Sequence, residues 1–116
     1  MDDPLLRISR TQTNGSVELS VEGEIDMSSV PKLKSVLDQT LAGRPALVVV
    51  DGRGLSFCDV AGLNCLVAAA FDAGSFGGRL VVRNANRSLT RLLQITSLDS
   101  MLLEPHRPVS DAESDG

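Results

Sequence analysis

A chain of 116 residues with a net charge of −4 has room for one domain with a modest core and no second one. Three Phe without Trp or Tyr, and no basic stripe, offer nucleic acid neither a stacking platform nor an electrostatic footprint. No apolar run approaches the roughly 20 residues that span a bilayer, and the acidic start "MDDPLLRISR" lacks the basic region and apolar core of a signal peptide. A cytoplasmic protein without a membrane partner is expected.

In chain order, "LLRISRTQTNGSVELSVEGEID" reads as a hairpin. Asn14-Gly15 suits the two positive-φ positions of a tight type I′ turn. Val17, Leu19 and Val21 alternate with polar residues, so one face is buried and the other wet. "DMSSVPKLKSVLDQTLAG" predicts a helix. Ser28 or Ser29 can cap it, Pro31 is tolerated in its first turn, and Gly43 ends it. Val30, Leu33, Leu37 and Leu41 form its buried stripe.

"ALVVV", Ala46 to Val50, is a short β-branched run of the kind found in a central strand covered on its faces, closing at Asp51-Gly52. A second helix follows "LSFCD", with Leu63, Leu66, Val67, Ala70 and Phe71 on its inward side. "RLVVRN" predicts another strand and "NRSLTRLLQITSL" a third helix with Leu89, Leu92 and Leu93 inward. "MLLE" is a candidate for a last short strand. The polar, Pro-containing residues 105–116 are expected to be a disordered acidic tail after a domain spanning residues 1–104. Strands joined through helices imply parallel pairing. The predicted class is α/β: a small mixed sheet of four to five strands, an N-terminal hairpin and three principal helices.

The second helix is unusual in composition. Its side opposite Leu63, Val67 and Ala70 carries Ala61, Cys65, Ala68 and Asp72 where a solvated helix would carry Lys, Glu or Gln. Such a helix is either packed on several sides or docked by a partner.

Other chemistry finds little support. The single His106 lies in the tail between two prolines, so no imidazole pair exists for a metal or a catalytic dyad. Two cysteines cannot complete a Cys-only zinc site, and neither GxGxxG nor GxxxxGK[ST] occurs. Asp26, Asp51 and Asp59 could converge at strand ends on a cation, but loop acids of this kind ordinarily serve as caps and turn formers. No cofactor and no catalytic residue are expected. Cys58 sits just before a helix N-terminus, where the dipole lowers a thiol pKa, while adjacent Asp59 opposes that effect. Cys58 and Cys65 are expected to be reduced, half-buried thiols, with Cys58 the candidate if thiol chemistry has any role.

Three segments in order, "VELSVEGEID", "LVVVDGRGLSFCDVAGL" and "GGRLVVRNANRSLTRLLQITSLD", resemble the landmarks of the STAS domain, and specifically of the bacterial anti-sigma factor antagonists. The likeness runs from Leu6 to about Glu104. It implies that the chain binds an anti-sigma factor of the GHKL-kinase type, which then releases its sigma factor. In this family the Ser that follows the motif Asp is phosphorylated, and the antagonist then lets go. Here that position is Val60, and the next hydroxyl position is Ala61, so no phosphoacceptor is present and phosphorylation cannot act there. The resemblance places the partner-binding surface at Asp26, Met27, Ser28, Asp59, Val60, Ala61 and Asn64. It implies a monomer or weak dimer that regulates transcription by partner switching. Two rivals stand beside it: a STAS subunit of a larger assembly, stressosome-like or lipid-transporting, and a small-ligand sensor using a pocket at the strand ends.

Overall fold

The computed structural model describes residues 5–103. They form β1 (Leu6–Thr13), β2 (Ser16–Ile25), α1 (Val30–Ala42), β3 (Leu47–Cys58), α2 (Val60–Ser75), β4 (Arg79–Arg83), α3 (Arg87–Ile95) and the single turn α4 (Asp99–Leu102). The sheet order is β1-β2-β3-β4. β1 and β2 pair antiparallel, with Thr13 opposite Ser16, and β2–β3 and β3–β4 pair parallel. The hairpin turn has φ of 41° at Asn14 and 84° at Gly15, as its Asn-Gly pair requires. Among the described residues no helix is long and apolar enough to cross a membrane.

The expected α/β class holds, and β3 lies between β2 and β4 with Val48 and Val50 fully buried. Four expectations change. β3 does not close at Asp51-Gly52. It continues to Cys58, because glycines at 52 and 54 let it pass close to the backbone of β4's end and to the Glu22 side chain. The strand is not covered alike on both faces. Val48, Val50, Leu80 and Val82 join one cluster with leucines of all four helices, whereas Val49 (5% exposed) and Val81 (3%) are buried outside that cluster. The segment 99–103 is a helical turn followed by a lone bridge from Leu103 to Val82, rather than a strand. The tail, residues 105–116, lies outside the described residues.

The fourth change concerns α2. Its buried face is Gly62, Leu63, Leu66, Ala69 and Ala73, with Val67 and Ala70 half-buried and Phe71 66% exposed. Leu63 and Leu66 face inward as expected, while Gly62, Ala69 and Ala73 complete the face in place of Val67, Ala70 and Phe71. Small side chains at 62, 69 and 73 allow closer approach to the sheet than Val67 and Phe71 would, so the tighter packing wins.

Candidate functional site

Ile25 ends β2, Cys58 ends β3, and the two are paired across the parallel register. Asp26 and Asp59 are therefore each the first residue past its strand, on neighbouring strands. The Asp59 backbone N–H donates to the Ile25 carbonyl at 3.1 Å and ties the two corners together.

The Asp26 turn is held by its own side chains. Asp26 Oδ1 accepts from Ser28 N–H at 2.9 Å, Ser28 Oγ at 2.7 Å and Ser29 N–H at 3.2 Å. The Ser28 hydroxyl, aided by the Ser29 and Ser28 amides, holds the Asp26 carboxyl below the usual aspartate range. Ser29 occupies the N-cap position of α1 but makes no side-chain cap. Its buried Oγ instead donates to the Glu24 carbonyl at 2.9 Å and accepts from Asp26 N–H at 2.9 Å. The predicted cap thus serves as a clasp from the loop to the end of β2.

The Asp59 corner is held by packing. Asp59 caps α2 by accepting from Gly62 N–H at 3.0 Å. A Cβ at position 62 would collide with Ile25 Cγ2 and sit 2.8 Å from Cys58 Sγ. Only glycine lets the helix start this close to the paired strand ends.

Met27 (79% exposed) and Val60 (58%) carry large apolar side chains into solvent from these two adjacent corners. Ser28 and Asn64 are exposed, and Ala61 is half-buried. The geometry brings Asp26, Met27 and Ser28 beside Asp59, Val60 and Ala61, with Asn64 one turn further along α2. Phe57, exposed at the end of β3, was missed in the sequence. From Ser20 to Glu24 there are four steps, while β3 takes six from Asp51 to Phe57, so β3 holds two extra residues. Bulges of this kind reset the in–out alternation, and a simple period-two reading cannot pass through them.

Asp51 does not join the other two acids. It lies within β3, roughly 20 Å of strand before Asp59, and accepts from Arg53 N–H at 2.9 Å and Asn84 Nδ2 at 3.0 Å. Burial works to raise its pKa and these donors outweigh it, leaving it lowered. Among the described residues no group of three or more His, Cys, Asp or Glu could hold a metal ion.

Cys58 and Cys65 are free and half-buried. Burial, reinforced by the Asp59 charge, pushes the Cys58 thiol up to about 12, and burial also raises Cys65. A redox-responsive thiol needs an electropositive, thiolate-stabilising setting; Cys58 has the opposite beside Asp59, and at Cys65 burial outweighs the nearby Lys34 charge. These are the surroundings of structural thiols.

The small-residue side of α2 faces a groove of about 280 Å³ between α1 and α2. Val30 and Leu37 line it from α1, and Ala61, Cys65, Ala68 and Ala69 from α2. Lys34, Asp38, Asn64 and Asp72 stand at its rim. Lys34 Nζ is 2.8 Å from Asp38 Oδ2, and this ion pair raises the Lys34 pKa. A second hollow, about 240 Å³, lies against the sheet beside Thr11, Glu18, Val49 and Arg83.

A four-stranded mixed sheet with four helices is the architecture of a STAS domain. The chain belongs to that family: residues 8–104 match the family described as "Mlab, STAS domain". The anti-sigma-B factor antagonist of Bacillus subtilis (strain 168) is 28% identical over 97 residues, covering 84% of this chain and 88% of the relative. An anti-sigma factor antagonist from Mycobacterium paratuberculosis, solved by crystallography, is 27% identical with a TM-score of 0.76, covering 99% of this chain and 97% of that one. The antagonist SpoIIAA in its unphosphorylated form superposes with a TM-score of 0.74, covering 95% of this chain and 97% of its own. The phosphorylated Bacillus SpoIIAA gives 0.68, with 94% and 98% covered. At 14% identity both SpoIIAA forms speak for the fold alone.

Proposed function

We propose that this chain is an anti-sigma factor antagonist. It binds an anti-sigma factor of the GHKL-kinase type and frees the sigma factor, regulating transcription by partner switching with no catalysis of its own. Asp26, Met27, Ser28, Asp59, Val60, Ala61 and Asn64 form the docking surface. The observation that carries the reading is the junction of the two corners, where exposed Met27 and Val60 flank carboxylates each anchored through Oδ1 by its own turn. Ordered polar atoms and exposed apolar side chains at one rigid site are what a protein partner needs, since little has to be immobilised on binding. Relatives named as antagonists and aligned over most of the chain point the same way.

The switch differs from the family pattern. SpoIIAA exists in unphosphorylated and phosphorylated forms, whereas the family's acceptor position is here Val60, followed by Ala61. A side chain without a hydroxyl cannot take a phosphate, so the docked state is not released by this chemistry. The description of the matching family as Mlab favours a second reading, a subunit of a larger assembly such as a lipid-transport complex.

Calorimetry with each GHKL-type anti-sigma factor of the source bacterium, with and without ATP, separates the two. The antagonist reading expects one of them to bind, the complex to survive ATP, and the peptide from Asp59 to Leu63 to stay unmodified. Failure of every anti-sigma factor to bind, with transport or scaffold subunits recovered in a pull-down, would replace it with the second reading. Phosphate on Ser56 or Ser75 would show that the switch has moved along the chain.

A further inference from the structure

We propose that the α1–α2 groove extends the docking surface and seats an amphipathic helix of the partner. That helix presents apolar side chains to the groove floor and an arginine or lysine to Asp72. The inference rests on the antagonist reading and adds the chemistry of the partner segment.

Three observations lead there. The first is continuity. Ala61 and Asn64 belong to the docking corner and also line the groove, and Val30, on the other wall, directly follows the Met27–Ser29 turn. A partner seated on Met27 and Val60 is therefore already at the groove's mouth. The second is shape. Ala61, Cys65 and Ala68 recur at intervals of four and three along α2, the spacing of one helix face, and the exposed Ala68 leaves that face low. From Ala61 to Asp72 the groove wall runs eleven residues, about 16 Å or three turns of helix. This is the length over which a partner helix lays its anchors into a groove.

The third observation is charge. Asp26, Asp59, Asp38 and Asp72 stand along this strip against the single Lys34, so four carboxylates and one ammonium leave three negative charges. Lys34 is bound to Asp38, and Asp26 and Asp59 accept from their own turns. Asp72 is exposed at the far end of the groove; its charge is felt by Lys34, but the Lys34 ammonium is bonded to Asp38. A basic partner surface complements this strip. A second copy of the chain would bring the same acidic rim against itself.

The test measures affinity for the anti-sigma factor with Ala68→Trp, Asp72→Lys and Val60→Glu in parallel, at low and high salt. Ala68 and Asp72 are exposed, so both groove variants should keep native circular dichroism. Ala68→Trp fills the groove and should weaken binding at least ~10-fold at either salt. Asp72→Lys should weaken it ~10-fold at low salt and much less at high salt, the mark of a screened charge contact. If Val60→Glu alone loses affinity, docking stops at the first turn of α2 and the groove proposal falls while the antagonist reading stands. Loss with Ala68→Trp but wild-type behaviour of Asp72→Lys would overturn the basic helix as the occupant. If Val60→Glu also binds normally, the interface lies away from the start of α2 and the groove proposal falls with it; if no anti-sigma factor binds at all, the antagonist reading itself fails and takes this one with it.

Discussion

The turn at Asp26 and the corner at Asp59 put the same residue at the ends of neighbouring paired strands, yet they are held in opposite ways. Around Asp26 the chain is fixed by hydroxyls: Ser28 and Ser29 supply donors and acceptors to a carboxylate and to the end of β2. Around Asp59 it is fixed by an absence, the missing side chain of Gly62 against Ile25 and Cys58. The first device is local and can be carried by a short peptide. The second exists only when β2, β3 and α2 are already assembled. A hydrogen-bonded turn and a close-packed corner side by side give the site rigidity from two independent sources.

Breaking the packed corner should cost most. Gly62→Ala ought to help α2 by about 1 kcal/mol on helix propensity alone. The clash should outweigh that gain and leave the protein destabilised by about 2–3 kcal/mol in urea unfolding. Unchanged or increased stability would mean that the corner is slack. Ser29→Ala comes next, at about 2 kcal/mol, because it removes the buried partner of both the Glu24 carbonyl and the Asp26 N–H. A loss as small as that of an exposed serine would show that water or a shifted turn replaces it. Asp59→Ala removes one cap bond and should cost about 1 kcal/mol. That is less than either neighbour, since packing rather than the carboxylate holds the corner.

The smallest effect is acid dependence at Asp26. Its carboxyl is lowered in the folded state, so its contribution is whole above the ordinary value of 3.8 and disappears as pH falls through the lower folded value. The urea midpoints of wild type and Asp26→Asn should therefore differ at about pH 6 and converge well below 3.8. A gap that persists unchanged in acid would mean that the charge contributes nothing.

This contrast also explains which parts of the molecule were legible in the sequence. Asn14-Gly15, the Val17/Leu19/Val21 alternation and the run to Val50 act through neighbours in the chain, so they predicted the hairpin and the interior strand, though not its continuation to Cys58. The acids and serines of the site were visible as cap candidates for the same reason. What Ser29 bonds was not, because a Ser before a helix is expected to cap the helix amides rather than reach five residues back to the Glu24 carbonyl. Half of the inward face of α2, Leu63 and Leu66, was legible; the rest was not, because hydrophobicity favoured Val67 and Phe71 whereas close approach to the sheet favoured Gly62, Ala69 and Ala73. Phe57 was hidden by the two extra residues in β3. The groove between α1 and α2 was foreshadowed by the Ala61/Cys65/Ala68 side of the helix. Its other wall, Val30 and Leu37, comes from a helix whose position no local pattern specifies.

The central claim is that a partner docks where Met27 and Val60 meet, and one measurement addresses it directly: the affinity of the anti-sigma factor for Val60→Glu, with Val60→Ser as its companion. An acid in the first turn of α2 is favoured by the helix dipole by about 0.3–1 kcal/mol, so the fold should be kept. At a buried interface the same unpaired charge costs several kcal/mol, so binding should weaken by ~100-fold or more. Val60→Ser should bind as the wild type does. A Val60→Glu protein with native circular dichroism and undiminished affinity would contradict the account and move the interface away from the start of α2.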